Sequence, residues 1–396
     1  MAEPLREIRV LEMGQLIAGP FAAKMLAEFG AEVIKIEPPV KGDPLRKWRL
    51  LHDGTSVWWH VQSRNKKSVT LDLRQEEGQA IVRRLVEEVD VVIENFKPGT
   101  LEKWNLGWDD LKAINPKLIM LRVSGYGQTG PYRDRPGFGV IGEAMGGLRH
   151  LSGEPGRAPV RVGVSIGDSL SALHGVIGIL LALRVRDTNG GKGQLIDVAL
   201  YESVFNMMES LLPEYSVFDH VRQPSGSSLP GIAPSNAYLC RDGKYVLIGG
   251  NGDSIFRRLM HAIGQPGMAE DAELQNNTGR VANVEAIDRT ISQWTSQRDL
   301  SEVMEVMNAN DIPAGRVYDI EDIVRDPHYQ AREMILQSKL PDGTPVSVPG
   351  IVPKLSETPG RIRHDAPALG EHTDAVLESI GIDAGRRAAL RDKGII

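Results

Sequence analysis

Cysteine is all but missing. Cys240 is the single one in the chain, which excludes an intramolecular disulfide and any cysteine-built metal centre, and sets the expectation of a reducing, cytoplasmic compartment. A surplus of positive charge is missing too. With 46 basic against 52 acidic residues the formal charge is −6, so no global field gathers nucleic acid or anionic lipid, and neither nucleic acid nor membrane is expected as a partner. Any anion must be held by local groups. Long apolar runs are lacking as well: the nearest, Ala172–Val185, has 14 residues and carries His174, two glycines and Arg184. That falls short of the about 18 that a membrane span needs, and a buried helix of a soluble protein is expected there. MAEPLREIRVLEM has no apolar stretch bounded by a cleavage site, so it is not expected to be a signal peptide. The nine histidines show no ligand spacing, and no metal site is expected. His60, His150, His174 and His220 are expected to be structural or solvent-facing. No G-x-S-x-G elbow supports a serine hydrolase.

What is present is a regular alternation of strands and helices. Residues 16–39, LIAGPFAAKMLAEFGAEVIKIEPP, follow a strand at Ile8–Met13 and predict a small-residue turn, a helix over Pro20–Phe29 and a strand over Glu32–Ile36. Pro20 suits the first helical position and Gly30 the left-handed residue after the end. Phe21, Met25, Leu26 and Phe29 are expected to share one buried face. The alternation continues with strand Ser68–Leu73, helix Glu76–Glu88, strand Val91–Glu94, a broken helix over Leu101–Ile114 and strand Leu118–Ser124. A long helix from about Ser165 to Arg186, strand Gln194–Val198 and helix Tyr201–Leu212 come next. This pattern implies an α/β fold with a mostly parallel, doubly wound sheet. Residues 213–234 are rich in Pro, Ser and Gly and mark a domain boundary. Beyond it, NAYLCRDGKYVLIGG predicts a hairpin turning at Asp242-Gly243, with further helices, a short β segment around PDGTPVSVPG and two terminal helices.

Two motifs bear on chemistry. GYGQTG at 125–130 matches G-x-G-x-x-G after a strand, but PYRDRPG follows it and cannot open the helix that a dinucleotide fingerprint requires. A mobile glycine-rich loop is the expectation, with no nicotinamide or flavin. Asp168 stands at the start of the nearly uncharged helix GDSLSALHGVIGILLAL. Capping that helix is one reading. The other is an ionised carboxylate, stabilised by the helix N-terminus, that acts as a covalent nucleophile. The Lys66-Lys67 pair reads as a solvated loop more readily than as a phosphate clamp.

Read in order, LEMGQLIAGPFAAKMLAEFGAEVIKIE, RNKKSVTLDL, VIENFKPGTLEK, RVSGYGQTGP, the GDS of Asp168, KGQLIDVALYES and PALGEHT resemble the family III CoA-transferases, over residues 7 to 373. The resemblance implies Asp168 as nucleophile, passing through an aspartyl anhydride and an aspartyl-CoA thioester. It implies coenzyme A contacts at Gln15, Ala18, Leu71, Arg74, Asn95, Phe96, Lys103 and, nearby, Arg135. Gly249, Gly250 and Gly252, with Asn251, are expected to form a lid loop, and Arg46 and Arg49 to reach the pocket. No permanently bound cofactor is implied; the coenzyme A thioester is a substrate, with small carboxylic acids as the other partners. The family's architecture implies an interlocked homodimer. Residues 1–224 and 331–396 would form a Rossmann-like large domain, and 225–330 a smaller α+β domain.

Gln15, Pro38, the short glycine loop and Phe138-Gly139 all depart from formyl-CoA transferase and count against its substrates, while NKKSVTLDL and SGYGQTGP are similar to the dicarboxylate-using members, so a succinyl-CoA donor with a dicarboxylate acceptor is expected. The alternatives are an α-methylacyl-CoA racemase and a non-catalytic CoA-binding protein. A racemase needs two acid/base groups, and Phe138 and Gly139 occupy the positions where its His and Asp would stand.

Overall fold

The computed structural model describes residues 3–396. Two compact units are present, one of Met1–Arg149, Arg161–His220 and Ala331–Ile396, the other of His150–Val160 and Val221–Gln330.

The first unit is built on six parallel strands: β1 (Arg9–Glu12), β2 (Glu32–Glu37), β3 (Lys66–Thr70), β4 (Val91–Glu94), β5 (Ile119–Ser124) and β6 (Leu195–Ala199). Their spatial order is 3-2-1-4-5-6, with Val10 of β1 opposite Val33 on one side and Val91 on the other. Strand order reverses between β1 and β4, and the crevice beyond their carboxyl ends is where doubly wound sheets receive ligands. Because successive strand residues face opposite ways, Val10 and Leu11 belong to different cores. Val10, Val33, Ile93 and Leu121 pack under α1 (Ala18–Glu28), while Leu11, Ile34, Val92 and Met120 pack with α2 (Glu76–Val86) and the terminal helices Thr373–Ser379 and Ala384–Asp392.

Helix α1 starts two residues earlier than expected, so Pro20 is its third residue, still within the turn whose N–H groups lack intrahelical partners. Its sheet-facing side is Ala22, Ala23, Leu26 and Ala27; Phe21, Met25 and Phe29 are only half-buried at its edge. Two helices follow in the same unit, α3 (Gly139–Met145) and α4 (Ile166–Thr188). The expected helix over Tyr201–Leu212 is interrupted: it ends at Phe205, Glu209 takes a left-handed φ of 50°, and a new helix runs over Leu211–Phe218.

The expectation of a wholly buried helix around residues 172–185 needs correcting. Helix α4 is long and apolar enough, by length and composition, to cross a membrane. One face lies directly on the sheet, and Gly175 permits this contact, since a Cβ there would stand 2.6 Å from Leu121 Cδ2. The other face carries Leu173, Ile177, Leu181 and Val185 at helical spacing and is uncovered, with Ile177 54% and Leu181 63% exposed.

In the second unit, strands Ser235–Leu239, Tyr245–Gly249 and Ala314–Arg316 form an antiparallel sheet, and the hairpin turns at Asp242-Gly243 with Gly243 at φ 77°. Its core gathers Tyr238, Val246, Ile248, Phe256, Ile291 and Met307 around buried Cys240.

Candidate active site

Chain reversal after β1 creates the first wall of the site. Leu16 adopts a left-handed φ of 63°, a conformation a branched side chain takes only under restraint. The restraint is Asp43, whose carboxylate accepts the Leu16 N–H at 3.1 Å and the Leu45 N–H at 2.8 Å. Lys35 Nζ lies 2.8 Å from Asp43 and donates to Glu12 at 2.7 Å and to the Gly14 carbonyl at 2.9 Å. Burial disfavours the Lys35 ammonium, yet Asp43, Glu12 and Glu37 outweigh it and raise its pKa. Asp43 is lowered correspondingly: burial opposes its charge, and Lys35 with the two N–H donors overcomes it.

At the switch point, β4 supplies the facing wall. Asn95 Oδ1 accepts the Gln15 N–H at 2.7 Å while its amide donates to the Gln15 carbonyl at 2.9 Å. Phe96 N–H donates to buried Glu94 at 2.7 Å, and the Phe96 ring meets Trp104 edge-on at 5.5 Å. Gln15, Ala18, Asn95, Phe96, Arg135 and Asp168 all line one cleft of about 680 Å³. A second cleft of about 410 Å³ contains Leu71 and Arg74 and shares Gln15 and Phe96 with the first. An elongated ligand can therefore run from one to the other past those two residues.

Among the other expected contacts, Lys103 ends the helix Thr100–Lys103, exposed and outside both clefts. Arg74 is held by Asp72 at 2.8 Å but keeps its side chain 77% exposed at the cleft. Arg46 is corrected: it is buried against Glu37 at 2.8 Å and stacked on Trp59, and it does not reach the cleft, whereas Arg49 does. Lys66 is neither solvated nor a clamp. Its ammonium is fully buried 2.7 Å from Glu12, and burial pulls it down to about 8 against Glu12. Lys41 lines the second cleft together with Pro38.

The glycine-rich loop opens no helix, as expected; the next helix is α3, from Gly139. Gly127 N–H donates to Ser124 Oγ at 3.0 Å and Gln128 N–H to Asp197 at 2.9 Å, so its first half is tethered. Gly249, Gly250 and Gly252 lie in the second unit. There Gly249 N–H donates to the Pro313 carbonyl and Gly250 N–H to that of Pro234, both at 2.9 Å, and Arg280 donates to the Asn251 carbonyl at 2.7 Å. Among the described residues, His52, Asp53 and Asp342 gather within 4.8 Å as an exposed ion-paired cluster.

Asp168 is not the helix cap. Ser165 precedes α4, and Asp168 is the third residue of its first turn. No other side chain donates to it among the described residues. Its carboxylate lies over Gly139, with Oδ2 2.1 Å from where a Cβ would stand, so only glycine leaves room for it. Burial, then the Glu143 carboxylate, push Asp168 up to about 6, with Arg161 pulling the other way. At neutral pH it is an anion with few ligands, facing the cleft. Such a group can attack a carbonyl.

Sequence reasoning missed Glu143, Asp43, Lys41 and Arg161. Glu143 carried one usable signal: it is the only charge in the apolar stretch GFGVIGEAMGG.

Known proteins bear on this geometry. A family model for CoA-transferase family III matches residues 5–373. The chain is 48% identical, over 99% of its own length and 98% of the other's, to a succinyl-CoA:D-citramalate CoA-transferase of Chloroflexus aurantiacus. It is 44% identical, again over 99% and 98%, to the beta subunit of that organism's succinyl-CoA:L-malate CoA-transferase. A crystal structure of a CAIB/BAIF family protein from Brucella suis superposes with a TM-score of 0.85 at 34% identity, covering 96% of this chain and 100% of that one.

Proposed function

The chain belongs to CoA-transferase family III and is an enzyme of that kind, and from that premise we propose that it moves coenzyme A from succinyl-CoA to a second small dicarboxylate through covalent forms of Asp168. The donor and the acceptor class are supported by the names of the relatives. The observation that carries the aspartyl route is the Asp168 carboxylate itself, crowded against Gly139, lining the cleft and without a donor side chain among the described residues.

In the proposed sequence an Asp168 oxygen attacks the succinyl carbonyl, the C–S bond breaks and its electron pair leaves with the coenzyme A thiolate. The thiolate then attacks Asp168 Cγ. The bond from Cγ to the bridging oxygen breaks, and succinate departs with that pair. An acceptor carboxylate reverses the two steps and restores the Asp168 carboxylate. Each intermediate retains the energy of the thioester, so no ATP enters. Exclusion of water from the anhydride is the main demand on the surrounding loops. Coenzyme A would extend across both clefts past Gln15 and Phe96, with Lys41 and Arg74 near the second.

The proposal includes a homodimer. The uncovered stripe of Leu173, Ile177, Leu181 and Val185 supports it, because a helix apolar on both faces is normally buried on both. A cytoplasmic site of action is supported by the single, unpaired Cys240.

Product masses from a matrix of acyl-CoA donors against carboxylate acceptors test the reaction. Transfer from succinyl-CoA to dicarboxylates supports it; turnover confined to epimerisation of a 2-methylacyl-CoA contradicts it. Light scattering tests assembly. Wild type is expected to be a dimer that resists dilution, with Leu181→Glu shifting it toward monomer, and a wild-type monomer contradicts this part.

A further inference from the structure

Behind Asp168 lies a carboxylate that the reaction above does not use. Glu143 is fully buried on α3, one helical turn beyond Gly139, so both residues present to the same side. Its stem packs on the backbone immediately before the nucleophile: a Cβ at Gly167 would stand 3.4 Å from Glu143 Cγ. Arg149 Nε donates to one Glu143 oxygen at 3.0 Å, and the other, Oε1, is buried with no hydrogen-bond partner among the described residues. A buried carboxylate oxygen without a partner is costly, and a packing role alone would be served at lower cost by an apolar residue.

Among the described residues Arg149 pairs with Glu143 and offsets part of its charge, while the other charges around it are engaged elsewhere or exposed. On α1, Lys24 and Glu28 face each other at 3.7 Å. On β5, Arg122 is engaged by Glu94 and Glu102. Glu202, on the helix after β6, is exposed. At Asp168, Arg161 on the cleft side opposes Glu143, together with a backbone hydrogen bond from Asp168 itself.

We propose that Glu143 is a positioning residue that drives charge off Asp168: its buried anion opposes the free aspartate and thereby favours the acyl-anhydride and thioester forms, in which Asp168 carries no charge. This rests on the aspartyl route proposed above. When the Asp168 oxygen bonds to the acyl carbon, the negative charge leaves with the thiolate and the repulsion from Glu143 is relieved. The same repulsion keeps the free carboxylate basic, and a more basic oxygen is the better nucleophile.

The test uses Glu143→Gln, which keeps the shape and an acceptor for Arg149, and Glu143→Asp, which keeps the charge. Two quantities are read: the acid limb of the kcat/KM profile, and the fraction of enzyme carrying a covalent adduct at Asp168 after mixing with succinyl-CoA alone. Coenzyme A affinity, measured by calorimetry, confirms that each variant is folded. For Glu143→Gln the acid limb is expected to move down by about one pH unit and the adduct fraction to fall by about tenfold, the effect of one pKa unit of like-charge repulsion. Glu143→Asp is expected to hold the limb near its original place. A folded Glu143→Gln enzyme with unchanged acid limb and adduct fraction overturns the proposal while leaving the aspartyl route standing. A wild-type enzyme that never carries an adduct at Asp168 overturns both.

Discussion

Asp43 and Asp168 are the same residue in opposite circumstances: Asp43 is buried behind the Leu16 turn, and Asp168 lines the cleft that turn helps to wall. Asp43 is surrounded by donors, two backbone N–H groups and the Lys35 ammonium, and its pKa is lowered. Asp168 has no such company, a second carboxylate behind it and a pKa pushed up to about 6. One satisfied anion fixes the shape of the turn that lines the cleft. The other is left under-solvated and available to react. Burial is common to both, so it is the supply of donors that separates a structural aspartate from a chemical one.

The sharpest break between them is expected from alanine. Asp168→Ala should abolish transfer, a loss on the order of 10⁶-fold by comparison with other enzymes deprived of a covalent nucleophile. Its urea unfolding midpoint should stay at or above that of wild type, since a strained anion is removed. Asp43→Ala should do the reverse in kind. Removing one partner of a buried ion pair costs roughly 3–5 kcal/mol, which urea denaturation would read, and coenzyme A affinity should weaken as Leu16 leaves its left-handed conformation.

A smaller effect is expected at Gly139. The added methyl of Gly139→Ala would occupy the place of Asp168 Oδ2, and a displacement of about 1 Å at a reacting group costs about 10²-fold. Stopped-flow measurement of adduct formation should show that loss with coenzyme A binding retained. The smallest effect is that of pH. Asp168 must be ionised to attack, and its pKa is raised, so kcat/KM should be level above pH 7 and fall about tenfold per unit below about pH 6. Asp43 is already ionised throughout that range and should add nothing to the limb. A profile still level at pH 5 would remove the distinction between the two residues.

Much of this was legible from spacing alone. Apolar residues at intervals of two and of three to four gave the parallel sheet and its helices, and β4 matches its expected bounds, Val91–Glu94. The position of Asp168 at a helix start was legible as well, and of its two readings the cap is the one that fails, since Ser165 precedes the helix. Periodicity reports which face of an element is buried, not which charges meet there. Lys35, Arg46 and Lys66 lie 11 to 31 residues apart, and it is the parallel register of β1, β2 and β3 that brings Lys35 and Lys66 together on Glu12. Glu143 depends likewise on the approach of α3 to α4 through Gly139 and Gly167, a tertiary contact with no local signature. The uncovered stripe on α4 was hidden for a different reason: an apolar helix looks the same in sequence whether its second face meets the chain's own core or another surface.

The most direct measurement is the mass of the enzyme after mixing with succinyl-CoA and quenching with hydroxylamine, followed by peptide mapping. The expected result is a hydroxamate on the peptide containing Asp168, absent from Asp168→Ala. Full transferase activity with no modification at Asp168, or activity retained by Asp168→Ala, would contradict the aspartyl route.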